Sequence, residues 1–235
     1  MGPARGADGG ADGQADEIGP GILARWSAIV YWYLIIELLL VATTVPALVA
    51  ILFLDRDPSN VFLVAALCIP VGPALSAAVF AWRVFRADRD LAPARHFWRG
   101  YRLNAVDVLR WWVPALLALA VIGFGIGNLD RVSVPAGYGA ALGVIALGIL
   151  LWAGHTLAVS STLALRTRDT ARLGAYYLGA RPMSTLGLLS LLVVAGGLVF
   201  LTSDWLLLLV ASPMSLLFLV NEESVISDAT ERFTP

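Results

Sequence analysis

The sequence predicts an all-α integral membrane protein, a six-helix transmembrane bundle with both termini on the cytoplasmic side. Three observations carry this reading. Of 235 residues 59% are hydrophobic and only 14% charged, with a mean hydropathy of +0.80; a soluble domain carries about 25% charged residues. The apolar residues fall in runs of the ~20 residues a helix needs to cross hydrocarbon. All sixteen basic residues are arginines, and they are sorted to alternate ends of those runs. This composition excludes a water-soluble enzyme and a disordered regulator. The single cysteine, Cys68, excludes an intrachain disulfide and a cysteine-rich metal site.

Residues 1–24 are rich in Gly, Ala and Asp without apolar periodicity, so a disordered acidic tail is expected. It lacks the basic start and apolar core of a secretory signal and is expected to be retained. Residues 25–220 form the transmembrane domain. The first span covers about 28–54 and contains Glu37 and Pro46; the second covers about 61–85, with Pro70 and Pro73 inside. The third covers about 106–126 and the fourth about 135–165. The apolar stretch 186–219 is too long for one span and is broken by Thr202, Ser203 and Asp204. It reads as a fifth and a sixth helix joined by a tight turn, with five spans as the fallback. Residues 221–235 are expected to be a cytoplasmic tail.

Orientation follows from the arginines. The segment 83–110 holds Arg83, Arg86, Arg89, Arg95, Arg99, Arg102 and Arg110. The segment 166–183 holds Arg166, Arg168, Arg172 and Arg181, and Arg25 precedes the first span. The opposite loops hold only Arg56, between Asp55 and Asp57, and Arg131, beside Asp130. The charge bias places the two basic segments and both termini in the cytoplasm.

Within the larger basic segment, Leu91, Ala94, Phe97, Trp98, Tyr101, Ala105 and Val108 recur at helical spacing, with Arg95, Arg99 and Arg102 opposite. That pattern suits a short amphipathic helix in the headgroup layer, aromatics down and guanidinium groups toward phosphates. It serves either as a topological anchor or as a docking surface for a cytoplasmic partner. The flanking spans explain the charge without nucleic acid. The two basic segments also resemble each other 79 residues apart: Phe97, Trp98, Gly100 and Arg102 fall on Tyr176, Tyr177, Gly179 and Arg181. A parallel helix-hairpin repeat is the structural expectation.

Ionisable groups inside spans are expensive and mark functional candidates. Glu37 and His155 both lie ~12–15 Å from the cytoplasmic face at 1.5 Å per residue. They could meet as a proton-coupled or ligand-binding pair, or serve only as packing glue. Pro70, Gly72 and Pro73 mark a helix break, which can line a substrate site or merely kink the helix. Gly123-x-x-x-Gly127 and Gly139-x-x-x-Gly143 suit close helix packing. Trp26, Tyr31, Trp32, Tyr33, Trp111 and Trp112 suggest an interfacial aromatic belt. There is no phosphate-binding loop, zinc-ligand pattern or nucleophile elbow, so neither enzymatic activity nor any cofactor or metal is expected.

The segments Leu67-Cys-Ile-Pro-Val-Gly-Pro-Ala-Leu-Ser-Ala-Ala78 and Phe97-Trp-Arg-Gly-Tyr-Arg-Leu-Asn104 resemble the YesL-like family of bacterial multi-pass membrane proteins, a domain of unknown function. The resemblance spans roughly residues 28–220, with these two motifs specific; Glu37-Leu38 stands where the family often has Leu-Asn. It implies a non-enzymatic component of the bacterial cytoplasmic membrane, accessory or regulatory to a carbohydrate-uptake system. It supplies no catalytic residues. The partners expected are the lipid bilayer, a transporter or signalling membrane protein, and a second copy of the chain. The alternative is a small secondary transporter or channel using Glu37 and His155.

Overall fold

In hydrocarbon every backbone N–H and C=O must be satisfied internally, and the apolar runs meet that demand as helices. A computed structural model describes residues 22–55, 57–88, 92–131, 135, 137–163, 165–201 and 209–233. The described residues are all-helical, with no strand. In order they form α1 (Ile22–Phe53), α2 (Val61–Leu67), α3 (Val71–Asp88), α4 (Pro93–Gly127), α5 (Tyr138–Ser160), α6 (Thr167–Ala180), α7 (Pro182–Leu201) and α8 (Ala211–Phe233). The acidic tail before α1, Arg56, Arg89, Leu91 and the turn at Thr202, Ser203 and Asp204 lie outside the described residues.

Three stretches are long and apolar enough to cross a membrane: Trp26–Val45 within α1, then α4, then α5. Counting the bent pairs α2–α3 (42°) and α6–α7 (98°) as one span each makes five. The helix at the place of the expected sixth span, α8, is not among these candidates: its apolar first half gives way to Asn221, Glu222 and Glu223.

The second span breaks where its prolines dictate. Pro70 and Pro73 supply no backbone N–H, and residues 68–70 form a turn between α2 and α3. Trp112 of α4 covers the break and donates from Nε1 to the carbonyl of Cys68 at 3.2 Å. A Cβ on Gly72 would meet the Trp112 ring at 2.7 Å, so glycine there permits the contact. The bend between α6 and α7 has a similar origin: Pro182 opens α7, a position that tolerates the missing N–H.

The core is built on α3. Its buried Ala74, Ala77, Ala78, Ala81 and Trp82 pack against Trp32, Ile36 and Leu40 of α1, Phe97 of α4 and Leu219 and Ile226 of α8. Small residues let the helices approach closely, the usual basis of packing in a membrane. Gly123 and Gly127 of α4 take Val61 and Pro58 the same way, whereas Gly143 has nothing within 4 Å.

Four expectations change. The amphipathic stretch at 93–110 is not a separate helix in the headgroup layer but the first half of the unbroken α4. At 1.5 Å per residue its 35 residues outrun a ~30 Å hydrocarbon core, so one end projects beyond it. Its aromatic stripe is divided: Trp98 is exposed, whereas Phe97 is fully buried against α1 and α3, where Gly100 lets Phe80 of α3 come close. The supposed tail after residue 220 is helical to Phe233 and packs Val225, Ile226 and Ala229 inward. The aromatic belt is also smaller than expected, since Trp32 and Trp111 are core residues while Trp26 and Tyr31 stay exposed.

Candidate functional site

His155, in the last turns of α5, points into the junction of α5, α7 and α8. Its Nδ1 lies 2.8 Å from Glu222 Oε2 and its Nε2 2.9 Å from the Thr185 hydroxyl. Imidazole and carboxylate are both fully buried. Neighbouring polar groups extend the cluster. Asn221 Nδ2 donates to Glu222 Oε1 at 3.0 Å and to the Ser184 carbonyl at 2.8 Å. Ser184 Oγ donates to the Asn221 carbonyl at 3.2 Å and lies 2.9 Å from Ser224 Oγ. The absence of a side chain at Gly187 leaves room for the Asn221 amide. These contacts tie α5, α7 and α8 together.

Glu37 is elsewhere. From α1 its Oε2 accepts the backbone N–H of Ser212 at 2.7 Å, at the first turn of α8. The carboxylate satisfies one of the orphan donors of that helix end and faces its positive dipole end. Glu37 and His155 therefore do not form a pair. Both ring nitrogens of His155 are engaged by α7 and α8, and Glu37 serves as a cap supplied from another helix. Its Oε1 and the Ser212 hydroxyl have no hydrogen-bond partner among the described residues. Beside the cap, Trp82 Nε1 donates to Ser215 Oγ at 3.1 Å, and Ser215 Oγ donates to the Ser212 carbonyl at 2.6 Å.

Next to the His155 cluster lies an apolar cavity of about 220 Å³. Its wall includes Leu75, Trp112, Gly154, Leu157, Leu188 and Phe218. Gly154 sits directly against Leu188, where any Cβ would collide.

The two segments that carry the family resemblance face one another along α3 and α4. Asn104 Nδ2 donates to Ser76 Oγ at 3.3 Å and to the Ser161 carbonyl at 3.4 Å, and Phe80 fills the space left by Gly100. Pro70, Gly72 and Pro73 sit at the break below. Phe97, Tyr101 and Asn104 thus serve the α3–α4 contact, while Arg95, Trp98, Arg99 and Arg102 are exposed on the opposite side of α4.

The second basic segment is organised differently. Tyr177 is fully buried and donates to Asp228 Oδ2 at 2.9 Å; Arg181 Nη2 donates to Asp228 Oδ1 at 2.8 Å. Arg232 completes the clamp, 3.0 Å from Asp228. The Asp228 carboxyl is held below the usual carboxylate range, first by the Arg181 hydrogen bond and then by the Tyr177 hydroxyl. The repeat does not extend to packing. Trp98 is exposed where its counterpart Tyr177 is buried, Phe97 is buried where Tyr176 is exposed, and Gly179 has open space where Gly100 has Phe80.

Sequence reasoning missed Glu222, Thr185, Asn221 and Asp228. A signal existed for Glu222. It sits between Leu219 and the buried Val225, Ile226 and Ala229 at helical spacing, which marks position 222 as inward-facing. The three residues that follow Val220, Asn221-Glu222-Glu223, obscured it.

No protein-family model, no curated protein and no solved structure matches the chain.

Proposed function

We propose that this is a non-enzymatic multi-pass protein of the bacterial cytoplasmic membrane, with six spans and cytoplasmic termini, acting as an accessory or regulatory partner of a solute-uptake system. The observation that carries the reading is the sorting of the arginines. Glu223 and Asp228 of α8 pair with Arg86 and Arg181, and Arg110 pairs with Asp107 one turn away. Arg95, Arg99 and Arg102 have no ion pair among the described residues. They share the outer face of α4 with exposed Trp98, Leu103 and Val106. Arginine and aromatic residues in this arrangement are common interface anchors. The YesL-like resemblance, resting on its two motifs, points to carbohydrate uptake as the process. The test is isolation of the tagged protein from mild detergent, beside a variant carrying Arg95→Gln, Arg99→Gln and Arg102→Gln. Recovery of a transport or signalling protein with the wild type, and its loss from the variant, supports the reading. Equal recovery by both chains removes the docking face.

A second reading, a small secondary transporter or channel, is favoured by one observation: Gly154, the chain neighbour of the buried His155, lines the apolar cavity together with Leu188 of α7 and Phe218 of α8. In this form the reading rests on His155 with Glu222, and Glu37 takes no part with them. Solute uptake by the purified protein in vesicles, abolished by Glu222→Gln, would favour it; no uptake with or without a pH gradient would leave the accessory role.

A further inference from the structure

On the outer side of the α3–α8 contact lies a groove of about 430 Å³, lined by Arg83, Arg86, Ala87, Leu219, Glu223 and Ser227. Arg86 and Arg83 are one turn apart on α3. Arg86 is neutralised: both its terminal nitrogens donate to Glu223 Oε2 at 3.1 Å. Arg83 is half-buried yet has no hydrogen bond or ion pair among the described residues. A guanidinium partly withdrawn from water and left unpaired is unfavourable, because five donors lose solvent without gaining an acceptor.

We propose that this groove binds the phosphate group of a membrane phospholipid, with Arg83 as its principal contact. Two features fit that chemistry. The planar guanidinium fork matches phosphate oxygens bidentately. Among the described lining residues Arg86 and Glu223 cancel, which leaves the positive charge of Arg83 for a phosphodiester monoanion to balance. The source is a lipid rather than a soluble phosphate because Ala87 and Leu219 present an apolar wall beside the guanidinium. The groove also sits where the apolar part of α3 ends in Arg83 and Arg86, the level of lipid headgroups, and basic pockets between helices at that level hold them. The inference does not depend on the side of the membrane this end faces, nor on the proposed function.

Native mass spectrometry of the full-length protein with phosphatidylglycerol, and with diacylglycerol as the phosphate-free comparison, tests it. The wild type is expected to retain phosphatidylglycerol on the order of tenfold better than Arg83→Gln, as loss of a charge-assisted contact implies. Arg172→Gln removes the same charge from an exposed position on α6 and should change nothing. Should Arg83→Gln fold poorly, Ser227→Asp places a carboxylate at the exposed rim of the groove and should also expel the lipid. Equal retention by wild type, Arg83→Gln and Ser227→Asp, or equal retention of phosphatidylglycerol and diacylglycerol, overturns the proposal. Inorganic phosphate is the remaining arm. Arg83-dependent stabilisation by phosphate without lipid retention overturns the lipid assignment in favour of a soluble phosphate compound.

Discussion

His155 and Glu222 lie 2.8 Å apart, fully buried, 67 positions apart in the chain. Their contact closes α8 onto α5, and Thr185 and Asn221 complete it from α7 and α8.

Breaking that contact should be costly in proportion to what is left unpaired. Glu222→Gln keeps a hydrogen-bonding side chain of the same shape, and loses about 1 kcal/mol or less, in line with polar pairs in helical membrane bundles. Glu222→Ala strands the imidazole and the Asn221 amide in a dry site and loses about 3 kcal/mol. Denaturant unfolding in detergent micelles reads both. Equal losses from the two variants would show that the network is not what joins these helices.

Gly100 should tolerate no side chain while Phe80 is present. A Cβ there would meet the Phe80 ring atoms at 2.8–2.9 Å, so Gly100→Ala is expected to cost about 1–3 kcal/mol by overpacking. The double variant with Phe80→Ala should lose less than the sum of the two single variants, because the two positions share one space. Strict additivity would place the strain elsewhere.

The clamp at Asp228 makes a pH prediction whose sign is definite. Its folded-state pKa is depressed, so the stabilisation is complete above the unfolded carboxylate value of about 3.9 and is lost as pH falls below it, through the folded value. Asp228→Asn should therefore melt below the wild type at neutral pH. The gap should close once both are acidified below the carboxylate range. A gap that persisted in acid would assign the effect to packing of α6 on α8 rather than to charge.

Orientation can be read by labelling. In a Cys68→Ser background, Ser59→Cys, in the short turn between α1 and α2, should react with a membrane-impermeant maleimide in intact cells. Ala94→Cys, exposed at the start of α4, should react only after permeabilisation. The reverse pattern would invert the topology.

Much of this architecture was legible along the chain because it is local. The helical character of the apolar runs and the break at Pro70 and Pro73 depend on residues within a few turns of each other. The basic segments could also be seen in the arginine spacing. Less visible was that 93–110 continues into the third span, since charge suggested a boundary where the backbone has none. Once α4 is continuous, the aromatic stripe of Phe97 and Tyr101 belongs to the α3 contact rather than to lipid.

The pairing of the ionisable groups was decided by tertiary structure alone. Depth along the helices made Glu37 and His155 equally eligible partners, and hydropathy consigned Glu222 to a tail. Which carboxylate reaches the imidazole depends on which helices pack side by side and on their rotation about their axes. Small residues at remote contacts set both, among them the alanines of α3, Gly154 against Leu188 and Gly187 beneath Asn221. In this protein the sequence by itself determined that the chain forms apolar helices, where the α2–α3 helix breaks and which segments carry the arginines. Only the packed bundle determined that Glu37 caps α8 while Glu222 meets His155, because a contact across 67 residues is specified by the shapes of helix surfaces and not by any local pattern.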